Sequence, residues 1–228
     1  MFTRAKIFGG GTYLKNHLAE NDYYAEGEKV TGRWIGRGAE LLGLEGDVNG
    51  DQFEALRENL HPETGERLTP RTMTTRQPTL RDAKRAFRTR HGRDGSEAEV
   101  ANFRLTMKPL PNRIAFYDFQ CSAQKSVSLI AVLAGDGRLR EVHERVSAMA
   151  FGELERFAGR QRNTRETRGR ELTGNVCAAA FTHDASRALD PQLHTHFVVA
   201  NATRDASGRW VALDEYQMIN PHESHYNR

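Results

Sequence analysis

Apolar and polar positions alternate along several short stretches of this chain and recur at helical spacing along others, which separates a set of strands from the helices that would cover them. Phe2 to Phe8 alternates weakly and reads as a first strand. Gly9, Gly10 and Gly11 interrupt it, and Thr12 is a fair N-cap for a helix with Tyr13, Leu14, His17 and Leu18 at helical spacing. Tyr23 and Tyr24 lie beyond the end of that helix. Arg113 to Ser122 (RIAFYDFQCS) alternates with branched and aromatic residues and predicts a central strand. Asp118 lies inside it, where a carboxylate needs a cationic or hydrogen-bonding partner. Val176 to His183 and LHTHFVV, from Leu193, are two further extended runs, and Asp184, Ser186, Asp190 and Pro191 between them are turn formers. They predict a hairpin. Trp210 to Leu213, reached through Asp205-Ala206-Ser207-Gly208, predicts another strand, so that three sequential antiparallel strands close the chain.

The helical period appears in Asn49 to Leu60, with Asp51 as N-cap and Phe53, Leu56 and Leu60 on one stripe. It returns in Ser126 to Leu133, where helix is favoured over a buried strand. In Glu141 to Phe157 it places Val142, Val146, Met149, Ala150, Leu154 and Phe157 on one side. Trp34, Gly36, Arg37, Gly38 and Ala39 lead into Leu41, Leu42 and Leu44, a short buried element with backbone that permits close approach. Arg71 to Ala101 is polar, Arg-rich and without a clear apolar stripe, and reads as a partly helical insertion or mobile arm; Arg160 to Arg170 reads as a charged linker. The class this implies is α+β, a central antiparallel β-sheet with helices packed on its faces.

Composition narrows the setting. The 228 residues suit a single domain, 38% hydrophobic and 28% charged, with no apolar run near a membrane span and no secretory leader in MFTRAKIFGGG. A cytoplasmic protein without membrane insertion is expected. Cys121 and Cys177 are too few for a disulfide framework or a zinc knuckle. Lys and Arg number 33 against 30 Asp and Glu, but the distribution is uneven: Arg67, Arg71, Arg76, Arg81, Lys84, Arg85, Arg88, Arg90 and Arg93 crowd one stretch. Such a stretch fits a polyanionic partner, and equally a solvated surface helix.

Candidate chemistry centres on the hairpin. In an extended LHTHFVV the imidazoles of His194 and His196 share one face, and folding the hairpin brings His183 beside them. A lone His-x-His is also compatible with half-buried, hydrogen-bonded strand histidines, whereas three on one face suit a divalent first-row metal with coordination positions left for a substrate oxygen. Three neutral ligands leave the ion its full charge, which is best used on an anion such as a phosphodiester. A tyrosine, with a phenol pKa of about 10, is a nucleophile whose attack on phosphorus can be reversed.

SRALDPQLHTHFVVAN, DFQCSAQKSVS, WIGRGAELLGL, HPETGERLTPR and the N-terminal tyrosines together resemble, in order, the MobF-type conjugative relaxases of the His-hydrophobic-His single-strand endonucleases. The resemblance covers most of the chain and implies a relaxase domain over residues 1–228, truncated at its C-terminal end, on the palm-like fold of those endonucleases. It implies His183, His194 and His196 as ligands of a divalent metal, magnesium or manganese in the cell, with zinc or nickel able to replace it. Tyr13 is similar to the family's primary nucleophile and Tyr23 or Tyr24 to a second one. Asp118 is similar to a strand aspartate that helps deprotonate the tyrosine or orients a metal-ligand histidine. Lys125, Arg187, Arg37 and Trp34 are the implied DNA contacts. The implied reaction nicks single-stranded DNA at a transfer origin through a 5′-phosphotyrosyl intermediate, with accessory relaxosome proteins and a coupling protein as further partners.

The sequence departs from the family in places. Leu14 follows Tyr13 where many relatives carry two adjacent tyrosines, Gln124 stands where proline is usual, and Thr195 is not hydrophobic. No GxxxxGK[ST] loop occurs, so no motor activity is expected of this chain. Two other readings fit the same residues: a three-histidine hydrolase in which water attacks, and a non-catalytic single-stranded DNA-binding fragment.

Overall fold

The computed structural model describes residues 2–8, 32–70, 75–135, 137–163, 168–186 and 190–220. Backbone contacts divide the chain into two compact units, one of residues 72–113 with 8–10, the other holding the rest.

The larger unit is built on a five-stranded sheet. Its strands are β1 (Phe2–Phe8), β2 (Arg33–Ile35), β5 (Ile114–Ser122), β8 (Ala178–Ala185) and β9 (Pro191–Ala200), in the order β1-β5-β9-β8-β2. β9 is therefore central, antiparallel to β5 and to β8 on its two sides. The expected hairpin is present, and with helices on both faces the class is the expected α+β. One face buries Trp34, Phe116, Phe181 and Val198 under α1 (Arg37–Leu41) and α2 (Gly50–Arg57), through Ala39, Phe53 and Leu56. The other buries Tyr117, Phe119, Phe197 and Val199 against Phe151.

Phe151 belongs to α6 (Gly137–Glu155), which follows α5 (Lys125–Leu133). Its ring stacks on Phe197 at 4.4 Å and 9°. The inward face of α6 is not the apolar stripe that helical spacing suggested. His143, Ser147 and Phe151 are buried, whereas Val142, Val146 and Met149 are 45%, 55% and 68% exposed. The cap of α2 is Asn49, two residues earlier than expected, and its side chain accepts from the Asp51 N–H. Close backbone approach in the first turn of α1 is real: a Cβ on Gly38 would stand 2.4 Å from the Val176 carbonyl carbon. Half-buried Glu155 ties this corner, accepting the N–H groups of Arg37 and Val176 at 2.8 Å each; burial raises its pKa.

Two expectations change at the C-terminal end. β11 (Trp210–Val211) pairs with β10 (Thr203–Arg204) in a separate two-stranded ribbon instead of adding a third strand to the hairpin. The charged linker is itself a ribbon, β6 (Gly159–Asn163) against β7 (Arg168–Leu172). The chain ends its described part in α7 (Tyr216–Ile219). No described helix is long and apolar enough to cross a membrane.

The smaller unit has β3 (Thr75–Arg76) paired with β4 (Leu110–Pro111), and between them α3 (Leu80–His91) and α4 (Glu97–Thr106). Each helix opens with a capping box, Thr79 with Asp82 and Ser96 with Glu99, and Gly92 closes α3 in the left-handed region at φ 67°. Ala83, Phe87 and Val100 form its small core, joined by Phe103 and Met107. The Arg-rich stretch thus carries an apolar seam, divided between two helices.

Candidate metal centre

Register brings the histidines together. His183 stands directly opposite His194 in the β8–β9 ladder, and His196 is two residues further along the same face of β9. The hairpin is irregular between His183 and Ala185, where the pairing shifts. Ring centres are 5.4 Å apart for His183 and His194, 5.6 Å for His183 and His196, and 5.0 Å for His194 and His196. A nitrogen about 2.1 Å from a metal puts its ring centre about 3.2 Å away, so rings sharing an ion at roughly 90–110° stand about 4.5–5.2 Å apart. The pair His194 and His196 falls inside that range and the two pairs with His183 lie just outside it, and among the described residues no set of three or more His, Cys, Asp or Glu side chains stands at metal-holding distance.

Two of the three histidines have Nδ1 engaged in a hydrogen bond. His194 Nδ1 is 2.8 Å from the Gln192 carbonyl, which only accepts, so this nitrogen carries the proton and Nε2 keeps a lone pair. His196 Nδ1 is 2.8 and 3.0 Å from the two oxygens of Asp118, which fixes the same tautomer if the carboxylate is ionised. That is the usual outer-shell arrangement of a metal-ligating histidine. Burial lowers the pKa of His194, opposed by its bond to Gln192, so the ring is held neutral as a ligand must be.

The partner that Asp118 needs inside its strand is thus His196, reached diagonally from β5. His183, His194 and Asp118 are all buried and His196 half-buried.

The remaining expected site residues divide. Lys125 is exposed at the start of α5 and donates to the Pro191 carbonyl at 3.0 Å; Arg37 is exposed at the start of α1. Trp34, expected as a DNA contact, is instead a core residue: it is 8% exposed, its ring stacks on Phe53 at 6.1 Å, and its indole N–H donates to Gln52. A ring this buried has no face to offer a base. Tyr13, Tyr23, Tyr24 and Arg187 lie outside the described residues. Sequence reasoning missed Arg140, His143 and Ser128, which reach the hairpin from behind, because a single His or Ser on an apolar helix carries no distinguishing signal.

An antiparallel palm with helices on both faces, and a hairpin presenting three histidines beside a strand aspartate, is the architecture of a relaxase. A family model described as TrwC relaxase matches residues 8–226. The chain is 34% identical over 213 residues to the multifunctional conjugation protein TraI of Escherichia coli (strain K12), a match covering 93% of this chain and 10% of TraI. A second Escherichia coli TraI is 36% identical over the same length and shares. Among solved structures, the metal-bound complex of the conjugative relaxase TrwC with oriT DNA is similar at a TM-score of 0.67 and 26% identity, over 98% of this chain and 65% of that one. TrwC bound to a 27-mer DNA comprising the recognition hairpin and the cleavage site is similar at 0.65 and 26%, over 96% and 62%. The chain belongs to the TrwC relaxase family. It spans about a tenth of the length of the TraI relatives and about two-thirds of the TrwC chains.

Proposed function

We propose that this chain is the DNA-nicking domain of a conjugative relaxase, a metal-dependent, site-specific single-stranded DNA transesterase acting at a plasmid transfer origin in the cytoplasm. The observation that carries this is the hairpin: three imidazoles with ring centres 5.0–5.6 Å apart, two with Nδ1 committed elsewhere, in a member of the TrwC relaxase family. His183, His194 and His196 would hold a divalent ion, with magnesium or manganese as the cellular metal; TrwC has been solved both metal-bound and copper-bound. When bound, the ion supplies a positive charge to a non-bridging phosphate oxygen.

The protein's own part is nucleophile and orientation. Tyr13 Oη forms a bond to phosphorus as the bond from phosphorus to the 3′ oxygen breaks; the phenol loses its proton, and the 3′ oxygen takes one up as a hydroxyl. Tyr23 or Tyr24 serves a second transfer. Both Asp118 oxygens lie within 3.0 Å of His196 Nδ1, which supports the orienting role, and the pH profile of adduct formation tests whether Asp118 also aids proton removal. Arg37, Lys125 and Arg187, together with the exposed Arg81, Lys84, Arg85 and Arg88 of α3, would meet DNA phosphates. Accessory relaxosome proteins and a coupling protein complete the proposed partners.

The test is to mix the protein with single-stranded oligonucleotides spanning its transfer origin, with and without manganese, and to separate products under denaturing conditions beside Tyr13→Phe and His194→Ala. A metal-dependent, denaturation-resistant protein–DNA band, absent from both variants, is expected. Cleaved DNA without an adduct, undiminished in Tyr13→Phe, would instead assign the attack to water. Binding without cleavage would leave a DNA-binding module.

A further inference from the structure

The two strands that carry the histidines are held from behind. Strand alternation turns Thr182, Asp184 and Thr195 to the face opposite His183, His194 and His196. Thr182 and Thr195 are cross-strand partners, and their hydroxyl oxygens are 3.0 Å apart. Thr195 Oγ1 is also 3.2 Å from His143 Nε2, which lies 3.4 Å from Ser147 Oγ. His143, Thr195 and Ser147 are 9%, 2% and 1% exposed, so this chain of polar groups is closed off from water. Three residues before His143, Arg140 donates to the Thr182 carbonyl at 3.2 Å and to the Asp184 carboxylate at 2.6 Å. Those two acceptors flank His183, at the place where the β8–β9 pairing shifts.

We propose that α6 is the positioning element of the three-histidine centre, with His143 acting through the Thr195 hydroxyl on His194 and His196 and Arg140 acting through residues 182 and 184 on His183. This rests on the reading that the three histidines hold a metal. A bulged hairpin is free to re-register unless something fixes it, and a shift of one residue would turn an imidazole to the wrong face. The Arg140 contacts are half-exposed and worth little in stability, so their effect lies in geometry. The His143 contacts are buried. Removing one side leaves the Thr195 hydroxyl with Thr182 alone and lets the centre of the His-x-His segment relax. Val142 and Val146, on the same helix, point outward and have no part in this.

The experiment measures manganese affinity by calorimetry and the visible spectrum of the cobalt-loaded protein, neither of which needs DNA or turnover. The variants are His143→Leu, Thr195→Val, both together, His143→Gln, Arg140→Gln and His194→Ala, each checked for folding by circular dichroism without metal. His143→Leu and Thr195→Val should each weaken manganese about ten-fold or more and shift the cobalt bands, as outer-shell changes do. The double variant should be no weaker than either single one, because both break one link. His143→Gln, whose amide nitrogen can take the place of Nε2, should recover most of the loss. Arg140→Gln should weaken manganese several-fold. Affinity and spectrum within two-fold of wild type in folded His143→Leu and Thr195→Val would overturn the inference while leaving the metal reading intact, provided His194→Ala abolishes binding. If His194→Ala binds as tightly as wild type, the metal reading fails and this inference with it.

Discussion

Replacing Asp118 by asparagine changes one atom and one charge at the point where the orientation of His196 is decided. The carboxylate is 6% exposed and puts both oxygens within 3.0 Å of His196 Nδ1. An ionised carboxylate only accepts, so Nδ1 must carry the proton and Nε2 must keep its lone pair for a metal. An asparagine amide can present its NH2 group instead, which drives the proton to Nε2 and removes the ligand, or present its oxygen, which keeps the tautomer but loses the charge. A hydrogen bond to a charged group is worth about 1.5–3 kcal/mol, and about 1.4 kcal/mol is ten-fold in affinity, so manganese should bind about 10- to 100-fold more weakly. Titration calorimetry of the variant against wild type reads this directly. Thermal unfolding in chelator provides the control, and should move little, because the lost hydrogen bond is offset by relief of a buried charge. Manganese affinity within two-fold of wild type would refute the orienting role. If, in addition, adduct formation fell and its pH profile moved, Asp118 would be the base that serves the tyrosine.

Two further outcomes follow from charge placement. Changing Arg81, Lys84, Arg85 and Arg88 of α3 to glutamine should flatten the dependence of DNA affinity on salt, by about 0.7 in log–log slope for each single-strand phosphate that these side chains neutralise; an unchanged slope in fluorescence anisotropy would remove α3 from the interface. Asp205 accepts from the Ser207 hydroxyl at 2.6 Å, from the Ser207 and Arg209 N–H groups, and from Arg160 at 2.9 Å, and these bonds, that of Ser207 foremost, hold its carboxyl down at about 2. Its contribution is present above the unfolded carboxyl's value near 4 and is lost as pH falls from there toward 2. Urea midpoints should therefore drop over that window by the equivalent of about 2 kcal/mol at most in wild type, and less in Asp205→Asn.

The palm was legible because it obeys a two-residue period against a dry core. FYDF and HTHFVV alternate between faces that are both buried, and the turn formers Asp184, Ser186, Asp190 and Pro191 leave one way to join the last two long strands. The three-histidine set followed from that register alone. What escaped did so where burial is set by a partner rather than by transfer free energy. Val142, Val146 and Met149 are the apolar side of α6 by spacing, yet the side that packs is His143, Ser147 and Phe151. Two of those three are polar, and their burial is permitted by the Thr195 hydroxyl on a distant strand and by each other. The helices at 80–106 were hidden for another reason: Ala83, Phe87 and Val100 are few, and each helix supplies only part of the seam. β6 and β7 have arginines at alternating positions and only one large apolar residue, Leu172, so no hydrophobic pattern marks them as strands. Trp34 was misread by residue type; edge strand β2 buries it, which its glycine-rich surroundings did not suggest.

The central strand explains why these successes and failures belong to one design. β9 assigns its even positions, His194 and His196, to the site face and its odd positions, Leu193, Thr195 and Phe197, to the reverse face. A slip of one residue would exchange imidazoles for core side chains, so whatever fixes the reverse face fixes the site. Three contacts do so in succession: the Ser128 hydroxyl accepts the Leu193 N–H at 3.0 Å, His143 meets Thr195 at 3.2 Å, and Phe151 stacks on Phe197 at 4.4 Å. They run polar, polar and aromatic along the strand, and they come from two consecutive helices. A purely apolar packing would tolerate small translations of β9, because dispersion contacts are non-directional. Two directional hydrogen bonds beside the histidines remove that freedom, which is a physical reason for a His-x-His segment whose middle residue is a threonine.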